Sequence, residues 1–191
     1  MSIKKSIILV IALLLMGNGI FNAALADHNE HKERKRYQKR HRNSSEHDGM
    51  RQLKPVDNPT YKETCGDCHF AYQPELLPSG SWEKILAGLA DHNGEEIEID
   101  QESKKIISEY LRANSAEYSS AKRAVKIVRS LRGQTPMRIT DVPYIRHKHE
   151  DDDIPADAFT RKSVGSMSNC IACHTTAENG IYDDDHVVIP K

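Results

Sequence analysis

The sequence predicts a mostly α-helical protein of two small lobes that follow a disordered N-terminal arm. Three observations predict it. Apolar residues recur at helical spacing behind capping residues, and no segment alternates as a half-buried strand would. The 191 residues are only 6% aromatic, with three Phe, one Trp and seven Tyr, so something other than a large aromatic core must fill the interior. The only four cysteines fall as two identical pairs about a hundred residues apart, Cys65-Gly66-Asp67-Cys68 and Cys170-Ile171-Ala172-Cys173, each followed at once by a histidine, His69 or His174. Cys-x-x-Cys-His is the attachment pattern of c-type haem, so each lobe is expected to fold around one covalently bound haem.

The chain begins with Lys4 and Lys5, an apolar run from Ile7 to Leu15 and the small-residue site Ala24-Leu25-Ala26. That is the pattern of a cleaved signal peptide over residues 1–26, with Asp27 as the new N-terminus. Gly17, Asn18, Gly19 and Asn22 interrupt the run well short of the roughly 20 residues a spanning helix needs. The expected destination is the periplasm, which argues against a nucleic-acid partner.

Residues 27–57 read as a basic, His-rich, disordered arm. Between Asp27 and Arg42 it has seven Lys or Arg against three acids, with Tyr37 as its only large apolar group. Such a segment cannot bury enough surface to offset its ordering entropy. Its charge and histidines suit a solvated linker, or contact with anionic lipid, an acidic partner or a metal ion. The formal net charge of -1 conceals this arm, because beyond Arg42 there are 18 basic and 25 acidic residues.

The N-terminal lobe is expected over residues 58–115. Asn58-Pro59 should start a helix through Tyr61 and Cys65, since proline suits the first helical turn. Pro74 and Pro78 mark a loop. Ser81 is the expected cap of the next helix, in which Trp82, Ile85, Leu86 and Leu89 form one apolar face. His92 follows before the Asn93-Gly94 stop. Asp100 should cap a third helix with Ile106, Ile107, Tyr110 and Leu111 buried.

The C-terminal lobe is expected over residues 116–191. A fourth helix spans about Ser115 to Leu131, with Ala121, Ala124, Val125 and Val128 inward, and ends at Gly133 and Pro136. Pro143, Pro155 and the acidic run Glu150 to Asp153 then read as an extended, irregular connection. Helix returns at most around Ala156–Arg161 and around Cys170.

Within each motif the spacing has a physical reason. Two thiols three positions apart on a helical turn reach the two vinyl groups of one porphyrin, and the next residue places an imidazole under the iron. Other uses of four cysteines fit less well. Thioredoxin-like chemistry does not call for two copies each followed by histidine. A four-cysteine zinc site brings its pairs within roughly 15 to 20 residues. Disulfides within each pair would close only tiny loops.

The second axial position decides the chemistry, because iron held by histidine can have Met, His or nothing opposite. Beyond the signal peptide the candidates are Met50, Met137 and Met167, and the histidines His28, His31, His41, His47, His92, His147, His149 and His186. His92 lies at the end of an apolar helix in the first lobe, and His147 or His149 lies in the second.

The body resembles the bacterial dihaem cytochrome c family, the electron-transfer partners of an oxygen-binding monohaem cytochrome known as sphaeroides haem protein. The resemblance is carried by Cys65 to Tyr72, Pro78 to Trp82, Gly88 to His92, Arg138 to Tyr144 with His149, and Asn169 to His174. It covers roughly residues 58–190 and leaves the arm out. It implies two cytochrome c-like lobes with bis-histidine ligation, His92 opposite His69 and His149 opposite His174. The family pattern has one histidine shortly after the proline matching Pro143, whereas this chain has both His147 and His149, so His147 stands as the alternative. The partners implied are the monohaem oxygen-binding cytochrome and a membrane cytochrome b.

Two imidazoles leave iron low-spin with no vacant site, which favours outer-sphere electron transfer at comparatively low potential. The expected function is thus electron shuttling without catalysis. The alternative is a dihaem enzyme, a peroxidase or small-molecule reductase, with one displaceable distal ligand and acid/base groups such as Glu95, Glu96 or Glu150 to Asp153 beside it. A haem-free metal chaperone would leave His69 and His174 unexplained.

Overall fold

The computed structural model of the chain describes residues 52–150 and 154–191. The signal segment, residues 27–51 of the arm and the acids at 151–153 lie outside the described residues. Among those described there are five α-helices joined by 3₁₀ turns, with no strand and only two isolated β-bridges. They belong to one compact unit.

Helix α1 (Pro59–Gly66) starts where the sequence places it. The Asn58 side chain accepts from the Tyr61 N–H at 2.9 Å, and Pro59 has no N–H to leave unpaired. Helix α2 (Ser79–Ala87) begins two residues before the expected Ser81 cap. Its cap comes from far along the chain: the Glu117 carboxylate accepts from the Ser79 N–H at 2.9 and 3.1 Å, at the positive end of the helix dipole. Ser81 is instead buried within the helix. Trp82 and Leu86 are buried as expected, and the Trp82 indole donates to the Pro74 carbonyl at 2.8 Å. Leu89 has left the helix for a 3₁₀ turn, Leu89–Asp91.

Helix α3 (Gln101–Ala113) is capped by Asp100, which accepts from the N–H groups of Glu102 and Ser103 at 3.0 and 2.9 Å. Ile107 and Leu111 are buried, but Ile106 is 37% exposed, so the apolar stripe is narrower than expected. Helix α4 (Lys122–Leu131) is shorter than expected, since Ala116–Tyr118 forms a separate 3₁₀ turn. Its buried face is Ala121, Ala124, Ile127 and Leu131, whereas Val125 and Val128 are 39% and 37% exposed. The i, i+3 repeat from Ala121 therefore outcompetes the adjacent valines for the core. Arg132 and Gly133, both at positive φ, end the helix.

Helix α5 (Pro143–Lys148) corrects the expectation of an irregular connection. Pro143 stands in the first turn, where proline starts a helix rather than breaking one. The Tyr144 N–H donates to Ser130 Oγ on α4 at 3.2 Å, which holds the two helices together. Beyond residue 154 there are only 3₁₀ turns, at Ala158–Thr160, Cys170–Ala172, Ala177–Asn179 and Asp184–His186.

One apolar core takes side chains from both expected lobes, including Tyr61, Trp82, Ile107, Ile127, Val142 and Ala177. It also takes Leu53, 2% exposed, so residues 52–57 belong to the fold and not to a disordered arm. The Leu53 N–H donates to the Gly180 carbonyl at 3.0 Å. Gly180 has φ +75, and a Cβ there would lie 2.1 Å from the Leu53 carbonyl oxygen. Only glycine permits this approach. No helix among the described residues is long and apolar enough to cross a membrane.

Candidate functional site: two cysteine pairs, each beside facing imidazoles

At the N-terminal site Cys65 sits in the last turn of α1, and Cys68 and His69 follow beyond its end. His69 Nδ1 lies 2.9 Å from the Phe70 carbonyl, and the Tyr72 ring lies 4.7 Å from the imidazole, centre to centre. His92 reaches the site on a tight reversal. Asn93 and Gly94 both have positive φ, as a type I′ turn requires, and His92 and Glu95 pair across it with bonds of 2.7 and 3.3 Å. The Asn-Gly signal thus marks a hairpin turn that presents His92, and not merely a helix stop. The His69 and His92 ring centres are 6.4 Å apart.

At the C-terminal site Cys170 opens a single 3₁₀ turn, and the His174 N–H donates back to the Cys170 carbonyl at 2.7 Å. The Val188 N–H donates to the Cys173 carbonyl at 3.0 Å, and His174 is bridged to Val187, so the C-terminal segment ties the motif down. His149 ends α5, with Nδ1 2.8 Å from the Ile145 carbonyl. Its ring centre lies 6.0 Å from that of His174. His147 is exposed. Two residues along a helix turn a side chain through roughly 200°, which directs His147 away from the side His149 occupies.

The two ring separations have a chemical reading. With metal–imidazole bonds of about 2 Å and ring centres about 1 Å behind each bonding nitrogen, two imidazoles across one metal have centres roughly 6 Å apart. Both pairs have this spacing. In His69 and His149 a backbone carbonyl lies beside Nδ1, which orients the ring and leaves Nε2 as the nitrogen for a metal. Burial, then the nearby His149 and Arg123, hold His174 down to about 4, so it stays a neutral donor. Burial and then His69 lower His92 in the same direction.

The sulfurs behave differently. Burial pushes the Cys65 and Cys170 thiols up to about 11 and raises Cys173 as well. That opposes the thiolate that zinc binding or disulfide exchange requires. Among the described residues no three His, Cys, Asp or Glu gather as a metal cluster. A thiol pair followed by one of two facing imidazoles, present twice, fits two covalently attached haems.

Of the other ligand candidates, His186 and Met137 are exposed, Met167 is half-buried, and Met50, His28, His31, His41 and His47 lie outside the described residues. Three residues escaped the sequence reading. Gln73 is fully buried; its amide donates to the Ala177 carbonyl at 2.6 Å and accepts from the Tyr182 hydroxyl at 2.6 Å. The Tyr182 ring lies 5.4 Å from that of His174, and the Arg123 guanidinium stands 5.4 Å over the Tyr182 ring. The neighbouring Tyr72 hydroxyl donates to the Ser168 carbonyl at 2.6 Å. Thus the segment after the first motif is bonded directly to the segments flanking the second. The contacts join residues 96 to 109 positions apart, for which no local pattern exists.

The profile of the dihaem cytochrome c family matches residues 61–182. Three solved structures are similar. A dihaem cytochrome c from Rhodobacter sphaeroides is 37% identical, with TM-score 0.60, over 69% of this chain and 99% of that one. DHC purified from Rhodobacter sphaeroides is 34% identical, with TM-score 0.53, over 67% of this chain and 99% of that one. A dihaem c-type cytochrome from Shewanella baltica is 34% identical, with TM-score 0.56, over 70% and 93%. None of the curated proteins matches.

Proposed function

This chain belongs to the dihaem cytochrome c family, haem-based electron-transfer proteins with two covalently bound haem c groups, and we propose that it shuttles electrons in the periplasm through two bis-histidine, low-spin haems. The observation that carries the reading is the pairing of imidazoles at 6.4 and 6.0 Å beside each cysteine pair. His69 and His92 serve one iron, His174 and His149 the other, and His147 serves neither. Cys65, Cys68, Cys170 and Cys173 hold the porphyrins as thioethers.

Bound haem supplies a one-electron couple at iron. The chain supplies the rest. His69, His92, His149 and His174 would hold the two irons, and with both sides of each iron so held there would be no open site of the kind oxygen or peroxide activation needs. Carbonyls at Phe70 and Ile145 fix the planes of His69 and His149. Glu95 and Glu96, which follow the Asn93-Gly94 turn, are exposed, and the Glu95 backbone is engaged in the turn that presents the ligand. That favours electron transfer over a peroxidase or reductase.

Export by residues 1–26 and attachment of haem outside the cytoplasm belong to the same reading. The partners proposed are a monohaem oxygen-binding cytochrome and a membrane cytochrome b. The acids that predominate beyond Arg42 favour a basic docking surface and salt-sensitive association.

The test is intact mass together with the absorption spectrum of the reduced mature protein under carbon monoxide. A gain of two haems and no spectral shift is expected. Carbon monoxide binding at either iron would overturn the closed, bis-histidine assignment.

A further inference from the structure

The two sites stand in different electrostatic surroundings. Arg123, on α4, has a largely covered side chain. One terminal nitrogen donates to the Tyr182 carbonyl at 2.8 Å, and the guanidinium lies 5.4 Å over the Tyr182 ring, which is itself 5.4 Å from the His174 ring. One tyrosine is therefore the shared neighbour of the cation and the imidazole. The charge is only partly answered: Asp183 stands 3.8 Å away, and the buried Arg123 Nε has no partner. Arg161, by contrast, is paired with Asp157 through two bonds, at 3.0 and 2.9 Å. Asp184, also near His174, is exposed on its turn.

Among the described residues, no cation stands over an aromatic neighbour of His69 or His92 as Arg123 stands over Tyr182. The expected N-terminal lobe, residues 58–115, holds eleven acidic residues against five Lys or Arg. The Lys84 ammonium is bonded to Thr135 Oγ1. A covered cation is screened far less than exposed carboxylates, so Arg123 acts at fuller strength than the acids around the first site.

We propose that Arg123 sets the order in which the two haems are reduced, holding the haem on His174 at a higher potential than the haem on His69. Each haem takes one electron from a one-electron donor protein as iron(III) becomes iron(II), and the site loses one unit of positive charge. A nearby fixed cation favours the less positive state. The first electron to enter therefore rests on the C-terminal haem, and the N-terminal haem takes the second. The inference rests on two bis-histidine haems being present.

The test is a spectroelectrochemical titration of the mature dihaem protein, with the low-spin EPR signal of each haem followed separately. The signal lost in His149→Ala identifies the C-terminal haem. In the unaltered protein that haem should reduce first. Arg123→Gln should lower its reduced-to-oxidised ratio at fixed potential about tenfold, which is 59 mV for a one-electron couple, with the N-terminal haem unmoved. Arg123→Lys should recover most of the shift. Asp183→Asn, which removes the partial counter-charge, should move the same haem upward, a reversal of sign that loosened packing would not produce.

The inference is overturned if the N-terminal haem reduces first, if Arg123→Gln moves both haems equally or neither, or if Asp183→Asn moves the C-terminal haem downward. Should Arg123→Gln fail to fold, Arg123→Lys and Asp183→Asn still decide the matter. Failure of the underlying reading is separately visible, because the unaltered protein would then lack two low-spin signals.

Discussion

At the N-terminal site the first cysteine lies on an eight-residue α-helix and the facing histidine rides on a two-residue turn. At the C-terminal site the cysteines occupy a single 3₁₀ turn, the facing histidine ends a six-residue helix, and the segment from residue 154 onward has no α-helix at all. Yet both sites bring two imidazoles to nearly the same separation. Five residues that specify the attachment chemistry are thus compatible with two backbone supports, one largely local and one dependent on distant contacts. The second support has more to lose when its haem is removed.

The largest contrast should come from removing each attachment site. Cys65→Ser with Cys68→Ser, and Cys170→Ser with Cys173→Ser, should each reduce the intact mass by one haem. Capped helices α2 and α3 should survive the first change. The second should abolish protection against amide exchange across residues 154–191, whose backbone bonds close isolated short turns and no α-helix. Equal protection in the two variants would break the contrast between local and distant support.

Single-ligand variants come next. His92→Ala and His149→Ala should each turn one haem high-spin and open it to carbon monoxide, with His147→Ala spectroscopically silent. A high-spin signal from His147→Ala would reassign the C-terminal ligand.

Substitutions where the chain crosses between the sites should act on stability alone. Gly180→Ala drives a Cβ into the Leu53 carbonyl at a positive-φ position, and a loss of about 3 kcal/mol or more is expected. Leu53→Ala should cost about 2 to 4 kcal/mol by leaving a cavity under the same contact. Thermal melts of the holoprotein read both, and native stability in Leu53→Ala would return residues 52–57 to the arm.

These positions show what the sequence could and could not disclose. The motif cysteines and histidines, the helix start at Asn58-Pro59, the Asp100 cap and the Gly133 stop were legible because each is a local rule satisfied within a few residues. Leu53 was not, because its neighbours in sequence are polar and its partner, Gly180, is far along the chain. Pro143 was misread because proline marks both loops and helix starts, and only packing against α4 selects between them. Val125 and Val128 were misplaced for a similar reason, since Ala121, Ala124 and Ile127 offer an equally good apolar stripe. His149 could be separated from His147 by register within the resemblance, whereas the ring facing His174 is a tertiary fact. Gln73, Tyr182 and Arg123 had no local signature at all.

The smallest predicted effect concerns Glu117, which caps α2 from outside the expected N-terminal lobe. Burial is the largest single influence on its carboxyl and pushes it up, but hydrogen bonds from Ser79 and Ser115 and from the backbone together hold it below the ordinary glutamate value. The folded state thus binds the proton less readily than the unfolded chain. The contribution is present above the ordinary value of about 4.3 and fades as pH falls below it through the folded value. Because Glu117 is exposed, its contribution should be about 0.5 kcal/mol, the scale of solvent-screened surface contacts. Glu117→Gln should lower stability by that amount at pH 7 and converge with the unaltered protein near pH 3, with both haem spectra unchanged. If the spectrum of the His69 haem alone moved, α2 would be transmitting its cap to the site through the His92 turn, and the N-terminal support would be less local than the short-range Asn58 and Asp100 caps imply.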